Sequence, residues 1–157
     1  MPDLITHSIF NHIVRRFYDI KKNHSPFSGV IIFFYLGTIL PDILTRPVYI
    51  IFPETHDYII FLHTPAAIFF FSLLLVQFLN DNIRKAAFIN IIAGSYLHFI
   101  LDALQKQVTG NNFWLFPVSW HNFGYGLFWA SQYLSFLPVS IFILIVLELF
   151  LRFIKRI

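Results

Sequence analysis

The stretch from residue 133 to residue 154 carries only two charges, Glu148 and Arg152. Its length meets the roughly 20 apolar residues that a helix needs to cross a bilayer core. Runs of the same kind cover residues 59–79 and 86–105, and a shorter one covers 29–44. A chain built on such segments reads as an integral membrane helical bundle. Composition agrees: 57% of residues are hydrophobic, 12% are charged, 21 are Phe, and mean hydropathy is +0.69. Soluble domains do not look like this.

The 157 residues suggest a single domain. Residues 3–22 read as an amphipathic first helix, with Ile9, Phe10, Ile13, Val14, Phe17 and Tyr18 at helical spacing. The turn residues of Asn23 to Gly29 (NHSPFSG) follow. The run at 29–44 is short for a span, and Thr45 to Asp57, with three charges and two prolines, reads as a loop. Polar residues 80–85 separate the two runs at 59–79 and 86–105, and an aromatic loop at 106–132 holds Trp114, Trp120, Tyr125 and Trp129. The expected fold class is therefore all-α, about five helices: one amphipathic, one short and three spanning. The ligand-bearing part covers 1–121 and the last helix 133–154.

Charge sets an expected orientation. The chain is basic, net +3 with a pI near 9.3, but its bases flank hydrophobic segments, which favours a membrane over nucleic acid as partner. Arg15, Arg16, Lys21, Lys22, Arg84, Lys85, Arg152, Lys155 and Arg156 fall on one side of an up-and-down bundle, leaving Arg46 and Lys106 on the other. The basic side is expected to be cytoplasmic in a bacterial or archaeal cytoplasmic membrane. Asp3, His7, Asn11 and His12 precede the first bases and no small-residue cleavage site follows, an order unlike a cleavable signal peptide, so Met1 is expected to be retained. The absence of Cys excludes thiolate chemistry.

Five ionisable residues sit badly in so apolar a chain: His7, Asp42, His63, His98 and Asp102. Ionisable groups at membrane depth are costly and need partners or a purpose. Three imidazoles and two carboxylates make a ligand set for one or two divalent metals. The topology drawn from the basic residues brings all five to the outer face. His98 and Asp102 are four apart and share one helix face.

Each member has a plainer reading. His98 and Asp102 could simply hydrogen-bond each other, Asp42 could be a helix cap, and His7 and His63 could be satisfied structural residues. Gly94 and Ser95 read as a device for close helix approach. Among the other histidines, His56 in the outer loop and His121 in the aromatic loop are candidates for supporting the site or meeting substrate. His12 lies about 140° round the helix from His7, at about 100° per residue, and belongs elsewhere. Glu148 and Arg152, again four apart, read as a structural pair.

The ordered series Thr6-His7, Gly37 with Leu40-Pro41-Asp42, His63-Thr64, His98-x-x-x-Asp102, and Gly110 with Phe116-Pro117 resembles the YdjM-like inner-membrane metal-dependent hydrolases. The resemblance covers roughly residues 1–120, with His63-Thr64 where the family usually has His-Ser. That family is in turn similar to the zinc phospholipase C and P1 nuclease fold. The resemblance implies that Asp42, His63, His98 and Asp102 hold one metal, zinc first, and that Asp102 and His7 share a second. The zinc phospholipases also use an N-terminal Trp, where this chain begins Met1-Pro2, and further ligands of which only His121 and Glu148 remain here.

The expected function is hydrolysis of an ester or phosphoester, with a lipid or lipid-linked substrate fitting the location. A bound divalent ion would activate water, and Asp42 or Asp102 would take its proton as catalytic base. The alternatives are a non-catalytic membrane protein whose cluster is a structural metal site or polar core, an ion-handling protein, or a pseudoenzyme that keeps its ligands for folding.

Overall fold

A computed structural model describes residues 4–22, 29–106, 113–129 and 132–154. Among these residues the fold is all-helical apart from one minimal pair of strands. Helix α1 is Leu4–Lys22, α2 Ile31–Ile51, α3 the four-residue His56–Ile59, α4 Pro65–Val76, α5 Asp81–Leu104 and α6 Tyr133–Ile154. Strands β1 (Gln105–Lys106) and β2 (Phe128–Trp129) pair in parallel where α5 ends.

Helices α2 and α5 form the centre of the bundle, and glycine decides how closely they meet. A Cβ on Gly37 would overlap the Ile91 carbonyl oxygen, and one on Gly94 would overlap the Phe34 carbonyl oxygen. Small residues at such a crossing let backbones touch, the usual basis of helix association where lipid offers no hydrophobic drive. The Ser95 hydroxyl donates to the Gly37 carbonyl at 2.8 Å. That carbonyl lies four residues before Pro41, which has no N–H to give it, so Ser95 supplies a hydrogen bond that the proline removes. An apolar core of Leu40, Ile68, Val76, Ala87, Ile91 and Phe99 joins α4 to this pair.

Among the described residues, three helical stretches are long and apolar enough to cross a membrane: Ile31–Ile51, Asp81–Leu104 and Ser135–Phe153. The number agrees with expectation, but the membership differs. The second helix does not stop at residue 44; it runs through Pro41 and Pro47 to Ile51, so most of the expected loop from Thr45 is helix. Arg46, which read as a loop charge, is paired one turn back with Asp42 at 2.9 Å. Thr45 donates its hydroxyl to the Pro41 carbonyl at 3.0 Å.

The expected span at 59–79 is instead broken. Short turns over Pro53–Leu62 meet α4 at a bend of 73°, and the two count as one span only if taken together. Thr64 makes the bend, extended in backbone and capping α4 by accepting from the Ala67 N–H at 3.3 Å, with Pro65 in the first turn.

The basic link between α4 and α5 is self-capping. Arg84 donates to the Val76 and Leu79 carbonyls, at 3.2 and 3.1 Å, and pairs with Asp81 at 2.8 Å. Helix α6 stands against α1 with only 6% of its apolar window buried. Of the aromatic loop, residues 113–129 are described; its backbone docks on the end of α5 through Tyr125 N–H to Ala103 O (2.6 Å) and Leu127 N–H to Leu104 O (2.7 Å). Gly110 lies outside the described residues.

Candidate metal centre

Four segments converge on one buried point. Helix α1 brings His7 from its second turn and α2 brings Asp42 from its middle. The break before α4 brings His63, and the last two turns of α5 bring His98 and Asp102. None of the five side chains belongs to a residue more than 3% exposed.

The break at Thr64-Pro65 is what aims His63 inward. The short turns before the break pack on α2, and the helix after it packs on α5. Phe99 supports the arrangement, meeting the His63 and His98 rings edge-on at 5.3 and 5.9 Å between centroids. Trp114 of the aromatic loop packs on Phe99 in turn, at 6.2 Å.

The donor atoms are spaced as ligands of a common ion would be. His63 Nε2 and His98 Nε2 are 3.3 Å apart. Asp102 Oδ2 lies 3.4 Å from His63 Nε2 and 3.3 Å from His98 Nε2, while Asp42 Oδ1 lies 3.6 and 3.8 Å from the same two nitrogens. Tetrahedral coordination with bonds of about 2.0–2.1 Å puts neighbouring ligand atoms about 3.3–3.4 Å apart. Asp102 turns its other oxygen the opposite way, with Oδ1 3.4 Å from His7 Nε2. One carboxylate thus faces two subsites, Asp42–His63–His98 on one side and His7 on the other.

The hydrogen bonds fix which nitrogen faces inward. His98 Nδ1 lies 2.8 Å from the Thr38 carbonyl oxygen. A carbonyl only accepts, so Nδ1 carries the proton and Nε2 offers its lone pair to the centre, as metal-binding histidines are commonly held. His7 stacks on His98 with ring centroids 4.0 Å apart. Its buried Nδ1 has no hydrogen-bond partner among the described residues, and its Nε2 faces the Asp102 carboxylate. Buried polar atoms without partners are costly. Two Nε2 lone pairs at 3.3 Å and two carboxylates require a cation or protons between them. The donor set fits a metal: the groups His7–His98–Asp102 and Asp42–His63–His98 could each hold an ion.

Three residues that carried no weight in the sequence complete the setting. Asn11, one turn after His7, is fully buried and donates to Thr38 Oγ1 (2.8 Å) and to the Gly94 carbonyl (3.1 Å), tying α1 to both central helices. Thr38 gives His98 its acceptor. Arg46 pairs with Asp42. Asn11 had a sequence signal in its spacing from His7, whereas the Thr38 contact is made by backbone and had none.

The remaining candidates lie apart. His56 pairs with Asp57 at 3.0 Å and meets Tyr49 edge-on at 5.4 Å. His121 is exposed and lines a cavity of about 280 Å³ with Trp114, Leu115 and Phe123. Neither belongs to the ligand groups. Glu148 is held by Arg16, with Nη2 to Oε2 at 3.1 Å, and by His12 at 3.5 Å, instead of by Arg152. His12 also bonds the Tyr35 hydroxyl.

Two cavities flank the bundle core. One of about 290 Å³ is almost wholly apolar and lies between α1, α5 and α6, with Thr6 and Leu101, neighbours of His7 and Asp102, on its wall. The larger, about 450 Å³, contains Arg15 and Asn90; none of the five donors lines either cavity. No protein-family description, curated protein or solved structure matches the chain.

Proposed function

We propose that the protein is a membrane-embedded, metal-dependent hydrolase acting on an ester or phosphoester. The observation that carries this reading is the convergence of three imidazole and two carboxylate donors, all buried, at ligand spacing inside an otherwise apolar bundle. The order of the motif residues, which resembles the YdjM-like hydrolases, supports it. Zinc suits the mixed nitrogen and oxygen donors. Asp42, His63, His98 and Asp102 would hold one ion, and Asp102 Oδ1 with His7 a second.

A divalent ion here supplies Lewis acidity and lowers the pKa of water to about 7. The chain's own residues do the rest. The Thr38 carbonyl keeps His98 in the ligating tautomer, and Phe99 with Trp114 keeps bulk water from that side. Both oxygens of Asp102 face imidazoles, whereas Asp42 meets them through Oδ1. Asp42 is therefore the better placed base. It takes a proton from the attacking water as the water oxygen bonds to the acyl carbon or phosphorus and the ester oxygen departs. The apolar cavity walled by Phe10, Leu101 and Phe136 suits the hydrocarbon part of a lipid or lipid-linked substrate. The basic ends are assigned to the cytoplasmic side and the site to the outer face.

Metal analysis of detergent-purified wild type, His98→Ala and Asp102→Asn tests the centre. Wild type should carry one or two equivalents and the variants much less; equal content in all three sinks the assignment. The near-complete burial of the donors favours a second reading, a structural ion that pins α1 to the bundle. Bound metal without hydrolysis of any member of a panel of carboxylic and phosphate esters would select it.

A further inference from the structure

The cavity of about 450 Å³ between α1, α2 and α5 has no part in the candidate centre. Its volume is that of a small-molecule site, in a protein interior where voids larger than a water are rare. On α5 its wall is a stripe along one helix face, Ala86, Asn90, Ala93 and Leu97. At about 1.5 Å per residue the stripe runs about 16 Å, about half of a hydrocarbon core of about 30 Å. It starts beside Arg84 and Lys85, at the end of the bundle where the bases gather, and stops one residue before His98.

One charged group interrupts this wall. The Arg15 guanidinium lies over the rings of Tyr18 and Phe34, 5.2 and 5.7 Å from their centroids, and donates from Nη1 to Asn90 Oδ1 at 3.1 Å. All three of those residues line the cavity with Arg15, so the guanidinium itself forms part of the wall. Asp19 faces Nε at 3.1 Å. Asn90 and Asp19 thus engage Nη1 and Nε, and Nη2, with two more N–H donors, is engaged by neither.

We propose that this cavity binds one phospholipid, with its phosphate on Arg15 and an acyl chain along the α5 stripe, as a lipid that seats α1 and is not a substrate. The inference is independent of the hydrolase reading, since it uses none of the centre's donors. Asn90 lies one turn in from the basic end, and Ala93 and Leu97 lie beyond it, so headgroup and chain are met in the order a lipid presents them. A lipid so placed stays within one leaflet. A phosphate is the anion that a guanidinium fork matches in shape and charge, and arginine at membrane depth calls for a partner. Water is a poorer occupant, because a buried water needs roughly two to four polar partners and most of the wall is apolar. Helix α1 gains most, being polar on its inward face and not among the described helices apolar enough to span. The plainer role for Arg15, a salt bridge that only neutralises Asp19, predicts lipid binding that ignores the arginine.

The experiment titrates full-length, delipidated protein in a maltoside detergent with dioleoyl phosphatidylglycerol, using dioleoylglycerol as the phosphate-free control. Native mass spectrometry counts bound lipid. Wild type should hold one phosphatidylglycerol per chain, at least tenfold more tightly than dioleoylglycerol, and its unfolding temperature should rise on binding. Ala93→Phe, which fills the stripe and leaves Arg15 and Asp19 in place, should weaken that binding at least tenfold. Arg15→Gln should weaken it as much, and Arg15→Lys, which keeps the charge but not the fork, should fall between. Wild-type affinity in Ala93→Phe overturns the site, and equal binding of the two lipids overturns the phosphate contact. Unchanged affinity in Arg15→Gln decides for the plain salt bridge. A wild type with no one-to-one adduct, or with no rise in unfolding temperature, overturns the seating role, and cleavage of the bound lipid overturns it by making the lipid a substrate.

Discussion

Helices α2 and α5 meet backbone to backbone, whereas the polar ties between α1 and α6 run through the ends of long side chains. At the first contact Gly37 and Gly94 leave no room for a Cβ, and one serine hydroxyl replaces the hydrogen bond that Pro41 cannot make. At the second, Arg16 and His12 reach across to Glu148. The first contact sets the position of Asp42, His98 and Asp102 relative to one another; the second, together with Asn11, holds α1, which brings His7. Precision is thus built into the backbone on one side of the site and depends on adaptable side chains on the other. The two sides should respond differently to substitution.

The largest effect is expected at the crossing. Gly94→Leu forces α2 and α5 apart, at a cost of about 3 kcal/mol or more, and should abolish both metal binding and a monodisperse gel-filtration peak. Asn11→Ala should be milder. It removes two hydrogen bonds that tie α1 to the crossing, and metal affinity should fall about 10–100-fold, as for supporting residues around other metal sites, while the protein stays folded. Glu148→Gln weakens the tie between α1 and α6 by about 1 kcal/mol, measurable as a shift in thermal unfolding with metal content intact. Phe142→Ala, on the exposed face of α6, should change stability by no more than about 0.5 kcal/mol. If Glu148→Gln proves worse than Gly94→Leu, the distinction between the two contacts fails. Because the chain has no cysteine, a Thr6→Cys reporter sharpens it further. Chelation should speed thiol labelling on α1, the helix that a metal would hold through His7.

How much of this was legible in the sequence differs residue by residue. The all-helical class follows from unbroken apolar runs, which need no tertiary information. The meeting of His7, Asp42, His63, His98 and Asp102 could be anticipated because helix direction alone places them at one level. The extent of α2 could not. Pro41 and Arg46 are helix-breaking or loop-like in isolation, and their tolerance depends on Ser95, 58 positions away from Gly37, and on Asp42. The bend at His63-Thr64 was hidden for the opposite reason. The apolar residues on both sides of it let hydropathy read straight through a change of direction that Thr64 and Pro65 make. Asn11 lay in plain view one turn from His7, but its partners are a hydroxyl and a carbonyl that only the folded chain brings near.

The tie between α1 and α6 bears on how such a chain is made. Helix α1 turns His7, Asn11, Arg16 and Asp19 inward and leaves Leu4, Ile5, Phe17 and Tyr18 outside. It is not among the helices apolar enough to enter a bilayer unaided. Its arginine waits for a glutamate 132 positions later. During synthesis α1 emerges before its partners and can settle only after they have been inserted, with Glu148 among the last to arrive. A chain interrupted before α6 would present an unsatisfied α1, a ready signal for the proteases that clear half-made membrane proteins.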